Sequence, residues 1–278
     1  MRGLIVTADD FGLSEAVNEA VERAHRDGIL TAASLMVAGP AAADAVRRAK
    51  AMPSLAVGLH LVVIEGPAVL RQPIAPIGQF PSEQFRLGVN YFFRSAVRRQ
   101  LAAEIRAQFE AFAATGLPLD HANAHKHMHL HPTVGRLMID IGREFGLRAV
   151  RVPAEPVGGG IGLRALHAWT RLLRHQAHQV GLATNDHCFG IRWTGAMTAD
   201  RLVRLVGSLP DGVSEVYLHP AAWREERLGA LMPNYAHEAE LAALLDPAVR
   251  EALATHDVRL LPGFGALTSC LARPPIAQ

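Results

Sequence analysis

The sequence predicts an α/β fold on a parallel sheet, and three observations carry that expectation. Short apolar runs that suit strands alternate with segments of helical period along most of the 278 residues. Asp10, His60 and His219 each fall at the C-terminal end of such a run, where parallel sheets, open or closed into barrels, place their sites. At 50% apolar content the chain can bury a sizeable core, no linker or internal repeat divides it, and residues 1–278 are read as a single domain.

The elements follow in order. Leu4-Ile5-Val6-Thr7-Ala8 is a short buried strand that ends in Asp9-Asp10-Phe11-Gly12. Ser14 suits an N-cap; Ala16, Val17, Ala20, Val21 and Ala24 recur at helical spacing behind it, and Gly28 stops the helix. Strands are expected next at 33–37, 57–61, 149–152, 216–218 and 258–261. Helices are expected between them at 41–50, 96–114, 133–145, 199–206 and 238–245.

Two segments break the alternation. Residues 62–95 hold Pro67, Pro73, Pro76 and Pro81, then Tyr91-Phe92-Phe93. A loop of this length is expected as a functional lid, with Tyr91 and Phe92 as candidate substrate contacts, or as a surface insertion whose aromatics fill a local core. Over residues 163–180, Leu163, Leu166, Trp169, Leu173, Ala177 and Val180 share one helical face. Arg164, His167, Arg171, Arg174, His175 and His178 share another. Such a basic amphipathic helix either lies on an anionic membrane surface or packs on its own domain.

Chemistry concentrates in one run, His121-Ala-Asn-Ala-His125-Lys-His127-Met-His129-Leu-His131-Pro132. No folding requirement asks for imidazole at this density, and imidazole is the commonest ligand of borderline metals. On an extended backbone its odd positions share one face, although a turn would disperse the later ones. Catalytic sites usually take three protein ligands and leave a position for water, so further donors are sought elsewhere. Asp9-Asp10 after the first strand and His60 at the exit of Val57-Gly58-Leu59-His60-Leu61 supply them. Taken singly, Asp10 also suits a turn cap and His60 a satisfied core residue.

Ala8-Asp9-Asp10-Phe11-Gly12, Gly58-Leu59-His60-Leu61, the His125-x-His127-x-His129 run and Glu215-Val216-Tyr217-Leu218-His219-Pro220 resemble, in order, the motifs of the YdjC/ChbG-like carbohydrate deacetylases. Asp27-Gly28-Ile29-Leu30-Thr31-Ala32-Ala33-Ser34-Leu35-Met36, Asn123-Ala124-His125-Lys126-His127 and Leu147-Arg148-Ala149-Val150-Arg151-Val152-Pro153 are most similar to the hopanoid-biosynthesis-associated HpnK branch. The resemblance implies an irregular (β/α) barrel with a divalent metal held by Asp10, His60 and His125. It implies Asp9 as general base, His219 as general acid, and the N-acetyl group of an acetylglucosaminyl hopanoid as the target. The family often has Asp at the position of Asn123 and Gly at that of Ala221.

The residues support the same chemistry. Amide hydrolysis needs an activated water, stabilisation of a developing oxyanion and protonation of a poor leaving group. A metal with Asp9 and His219 on either side of the reacting carbonyl provides all three. Two imidazoles and a carboxylate favour Zn, Co, Ni or Fe, with Zn first; Mg prefers oxygen ligands, and the resemblance keeps it as an alternative because family members have been assigned Mg. His127 is a further candidate substrate contact. Arg151 is expected to hold Asp9 or a sugar hydroxyl, or to form a surface ion pair. The stretch 184–190 reads as a turn, and Cys188 as a packed thiol.

Composition excludes other classes. A net charge of +2 marks no nucleic-acid binder, and two cysteines, Cys188 and Cys270, make no disulfide framework. No signal sequence or transmembrane run is evident, so a cytoplasmic enzyme, reaching the inner membrane face if its sugar is lipid-linked, is expected. Deacetylation of soluble N-acetylglucosamine oligosaccharides, phosphoester hydrolysis and metal-dependent sugar binding without turnover are the competing functions.

Overall fold

The computed structural model describes residues 2–156 and 161–267, with side chains in the helix after residue 160 described from His167 onward. Cys270, and Leu163, Arg164 and Leu166 of the proposed amphipathic helix, fall outside those limits.

Among the described residues nine parallel strands form one sheet. In chain order they are β1 (Arg2–Phe11), β2 (Ala32–Leu35), β3 (Ala56–Leu61), β4 (Ala122–Ala124), β5 (Ala149–Val150), β6 (Ala183–Thr184), β7 (His187–Phe189), β8 (Gly212–Leu218) and β9 (Val258–Leu260). They pair in the order β6-β5-β4-β3-β2-β1-β8-β7, with β9 on β1. One edge of β1 carries β8 from Arg2↔Gly212 to Ala8↔Leu218. Its other edge is shared, with β9 beside Arg2, Gly3 and Leu4, and β2 beside Thr7 and Ala8. Covered on both faces and both edges, β1 reads as a continuous apolar run.

The expected barrel is a curled half-barrel. Among the described residues no ladder joins β6 to β7. The chain just after β5 approaches β7 by a single backbone bond, Cys188 N–H to the Ala154 carbonyl at 3.0 Å. The Asn185 side chain completes that contact by accepting from Val152 N–H and donating to the Val152 carbonyl, at 2.7 and 2.9 Å. Residues 184–190, expected as a turn, are therefore two very short strands and the seam between them.

The helices α1 (Glu15–Asp27), α2 (Ala42–Lys50), α3 (Gln84–Phe93), α4 (Ser95–Ala114), α5 (Pro132–Glu144), α6 (Ile161–Gln179), α7 (Ala199–Gly207), α8 (Glu226–Leu231), α9 (His237–Leu245) and α10 (Pro247–Thr255) connect them. Local chemistry sets their ends. Ser14 Oγ accepts from Val17 N–H, and Ala16, Val17, Ala20, Val21 and Ala24 are buried as their spacing predicts. Asp246 caps α10 ahead of Pro247, and Pro132 opens α5 where no amide is needed.

Residues 62–95 are tied to the body. Glu104 of α4 accepts from the amides of Val69 and Leu70, and Gln108 bonds both the amide and the carbonyl of Val62. Val63, Ile64, Ile74, Phe80 and Leu87 join the core. Tyr91 is fully buried with its hydroxyl donating to the Val63 carbonyl, so it is a core residue and not a substrate contact. In α6, Leu173 and Ala177 are buried, Trp169 is exposed, and Arg174 bonds the carbonyls of Asn185 and Asp186.

Candidate metal centre

Strand alternation builds the site. Residues two apart share a face, and the inward face runs Ile5, Thr7, Asp9 on β1; Ala32, Ser34 on β2; Ala149, Arg151 from β5; and Val213, Glu215, Tyr217 on β8. The first of each set belongs to a small apolar cluster with Phe264 that plugs the far end of the half-barrel. The next layer is polar and buried: Thr7, Ser34, Arg151 and Glu215. The last layer is the candidate site. Gly58 continues the pattern two residues before His60, because the flat ring of His121 fills the place of its side chain, and a Cβ there would lie 2.5 Å from that ring.

Asp10 departs from the alternation. It takes a left-handed conformation, φ 62°, at a break in the β1–β2 register, which Asp tolerates better than most residues. Both adjacent carboxylates thereby meet His60: Asp9 Oδ1 is 3.9 Å from Nδ1, and Asp10 Oδ1 is 3.3 Å from Nε2. Asp10 Oδ1 is also 3.3 Å from His125 Nδ1. Ser14, not Asp10, caps the following helix.

Asp10, His60 and His125 offer one ligand atom each within 4.8 Å of one another. Both Asp10 oxygens are buried without a hydrogen-bond donor in good geometry, a costly arrangement for a carboxylate unless a cation completes it. The 3.3 Å separations match two ligands each about 2.0 Å from a tetrahedral ion. The residues present therefore fit a divalent metal. Burial raises the Asp10 pKa, but His125 and His60 outweigh it and hold the carboxyl well below its usual range. Burial lowers His60, and Asp9 and Asp10 outweigh that effect in the other direction.

The neighbouring groups are orienting ones. Arg151, fully buried, donates to Asp9 Oδ2 at 2.5 Å and Oδ1 at 2.9 Å, and its other side meets both oxygens of Glu215. Burial opposes ionisation of Asp9, but Arg151 leaves its pKa well below the ordinary value. Arg151 thus holds Asp9, as one of the expectations had it, and lies beneath the cavity, so a sugar hydroxyl does not reach it. Thr7 Oγ1 donates to Glu215 at 2.7 Å.

His219 follows β8 directly. Its amide donates to Glu240 at 2.6 Å, its carbonyl accepts from His237 Nδ1 at 2.6 Å, and its ring packs edge-on against Tyr217 and Tyr235. Burial lowers its pKa, and the carboxylates of Asp10 and Asp9 only partly offset this. Glu240 is buried and pushed up to about 7 by desolvation, despite accepting from Met197 and His219 amides.

The five histidines of the run part company. β4 ends at Ala124, and Lys126 and His127 take positive φ in a 3-10 turn, so the shared face does not form. His121 is buried between Asp120, Ser34 and the Phe264 ring. His127 bonds the Tyr217 hydroxyl at 2.9 Å, and desolvation with Arg151 nearby lowers it to about 3. Both ring nitrogens of His129 are buried without a hydrogen-bond partner in good geometry, its ring meets that of His127 edge-on, and His131 reaches the Gly88 carbonyl of α3.

A cavity of about 1100 Å³ opens over these groups. Asp9, His60, His125, His127, Tyr217 and His219 line it, as do the apolar Leu231, Met232 and Pro233, flanked by Glu226, Arg227 and Asn234. Phe92, a candidate substrate contact, is not part of its lining; it stands half-exposed on α3, turned outward. Glu215, Glu240 and Tyr235 are site residues that sequence reasoning did not single out. A glutamate within the apolar run Val213-Ser-Glu215-Val-Tyr217 was the one available signal.

Known proteins resemble this chain in sequence and in fold. Carbohydrate deacetylases of Brevibacillus brevis and Geobacillus stearothermophilus are 33% and 31% identical to the chain, over 78% and 94% of it and 81% and 96% of themselves. A crystal structure of a candidate cellobiose-phosphate cleavage protein from Enterococcus faecalis V583 superposes with a TM-score of 0.71 at 21% identity, covering 98% of this chain and 99% of that one, a likeness of fold. The model of the YdjC-like protein family matches residues 3–255, and with relatives this similar along most of their length the chain belongs to that family.

Proposed function

We propose that the chain is a metal-dependent N-deacetylase of an acetylated amino sugar, and that its substrate is an acetylglucosaminyl hopanoid. The observation that carries this reading is the convergence of Asp10, His60 and His125 beneath a cavity whose wall holds Asp9 and His219. The relatives' description as carbohydrate deacetylases supports the reaction class.

Asp10, His60 and His125 would hold a divalent ion, Zn by ligand type, which when bound would supply a Lewis acid for the amide carbonyl and would lower the pKa of the attacking water. Asp9 accepts the proton of that water. A carboxylate stabilised by Arg151 is a weak base, so its contribution lies in a fixed position next to the reacting water. His219 gives a proton to the departing nitrogen as the carbon–nitrogen bond breaks, leaving acetate and a free amino sugar. His127, bonded to Tyr217, faces the same space and is assigned to the sugar.

The cavity exceeds the needs of one sugar ring by the usual size of ligand pockets, roughly 300–1000 Å³. Its apolar residues Leu231, Met232 and Pro233 suit a non-sugar attachment such as a polycyclic lipid. Soluble oligosaccharides of N-acetylglucosamine are the alternative substrate class. Among the described residues no helix is long and apolar enough to cross a membrane, and we place the enzyme at the cytoplasmic side of one. Incubation with acetylglucosaminyl hopanoid and, separately, with chitooligosaccharides tests the reading. Loss of one acetyl unit by mass spectrometry from the first supports it, loss from the second alone restricts it to soluble glycans, and loss from neither rejects it.

A further inference from the structure

We infer that the outer face of α3 docks this protein onto an anionic phospholipid bilayer, beside the mouth of its cavity. Helix α3 is amphipathic in the unusual sense. At about 100° per residue, Leu87 and Tyr91 point to one side and are buried, while Phe85, Val89 and Phe92 fall within roughly 60° of one another on the opposite side and are exposed. Phe93 extends the same face. Phe85 and Phe93 are 87% and 74% exposed, and Ile77, in the preceding loop, 77%. Single exposed apolar residues need no explanation, but several bulky ones on one helical face mark an interaction surface.

Charge identifies the occupant. Residues 84–103 contain Arg86, Arg94, Arg98 and Arg99 and no Asp or Glu, although an exposed Glu83 precedes α3, so the balance around the helix is four arginines against that one acid. All four arginines are exposed, and Arg98 is anchored through a bond to the Phe92 carbonyl. The first acid after them, Glu104, is buried and turned inward onto Val69 and Leu70. Aromatic side chains at acyl depth, with arginines at headgroup level, are the pattern of a helix lying in an anionic interface. A soluble partner with an apolar patch would not need four cations around it, and a second copy of this face would set arginine against arginine.

The position gives the contact a purpose. Phe80, Pro81 and Ser82 line the cavity, and Phe85 follows three residues later, within about 11 Å of chain. A bilayer held against α3 would lie at the cavity mouth, where a sugar anchored to a membrane lipid is presented. That purpose rests on the lipid-linked reading; the docking surface does not.

Co-sedimentation of the full chain with vesicles tests the inference. The wild type is expected to pellet with phosphatidylcholine vesicles containing phosphatidylglycerol, at least tenfold more strongly than with phosphatidylcholine alone, and to be released by high salt. Phe85→Ser with Phe93→Ser, and separately Arg94→Glu with Arg99→Glu, should each lower this binding at least tenfold. Both should keep the wild-type melting temperature and acetate release from a soluble N-acetylated oligosaccharide. Wild-type protein that ignores both vesicles, or variants that bind as tightly as wild type, would overturn the surface. A dimer in sedimentation that disperses in the Phe85, Phe93 variant, without vesicle binding, would reassign it to self-association. Absence of acetate release from every form, wild type included, counts against the deacetylase alone.

Discussion

Arg151 grips Asp9 by both oxygens, at 2.5 and 2.9 Å, from a position with no solvent access. The same guanidinium bonds Glu215 on its other side, so one cation serves two buried carboxylates. Arg151→Ala leaves both unpaired in the interior, and breaking a buried pair in this way costs about 3–5 kcal/mol. Arg151→Lys keeps the charge but loses the fork, and is expected to fall between the two. Urea denaturation midpoints of the three proteins check the order.

In the proposed function Asp9 and His219 are assigned to proton transfer and not to ligation. Asp9→Asn and His219→Gln should each lower kcat by about 10²–10⁴-fold, with metal content per chain unchanged and KM little moved. Steady-state kinetics beside elemental analysis of the same samples decides. Loss of metal with either substitution contradicts the assignment.

Asn123 faces two demands. One end of its amide is 2.6 Å from His60 Nδ1; the other is 2.8 Å from Ser34 Oγ and 2.9 and 3.1 Å from the Arg151 nitrogens. For His60 to present a free Nε2 to an ion, its Nδ1 must keep a proton and donate it, while Arg151 also seeks an acceptor. An amide offers one acceptor end, a carboxylate two. Asn123→Asp is therefore expected to tighten metal binding about tenfold or more, read by chelator competition. Unchanged or weaker binding contradicts this account of His60.

Glu240 introduces a pH dependence of stability. Its folded pKa, raised by burial to about 7 from 4.5, favours the protonated form in the folded state. Its contribution is fully present below the unfolded value and is lost as pH rises through about 7. Glu240→Gln removes this titration and one acceptor for the amides of Met197 and His219. The variant should be destabilised by about 1–3 kcal/mol at pH 5, with a deficit that shrinks toward pH 8. Thermal melts across that range check the trend, and a constant deficit contradicts it.

Much of this was legible in the sequence because apolar runs and caps act locally. β1, β3 and β8 and the Ser14 cap follow from residues that the chain displays openly, whereas the choice of Asp10, His60 and His125 as the converging set came from the family resemblance. β4, β6 and β7 were not visible, since strands of two or three residues carry no period. The helix α3 was hidden behind Pro67, Pro73, Pro76 and Pro81, whose spacing suggests a loop that runs on through it. The alternation that delivers Arg151 and Glu215 inward is masked because the outer face of the half-barrel is also apolar. The dispersal of His127, His129 and His131 depends on positive φ at Lys126 and His127, which no residue type announces.

Asp10, His60 and His125 are proposed to bind one divalent ion together. Elemental analysis of purified wild type, Asp10→Ala, His60→Ala and a His127→Ala control measures it directly. The account expects close to one ion per chain in the wild type and the control and a loss of at least tenfold in affinity for the other two. A wild type without metal after saturation and desalting, or an ion retained in both Asp10→Ala and His60→Ala, would contradict it.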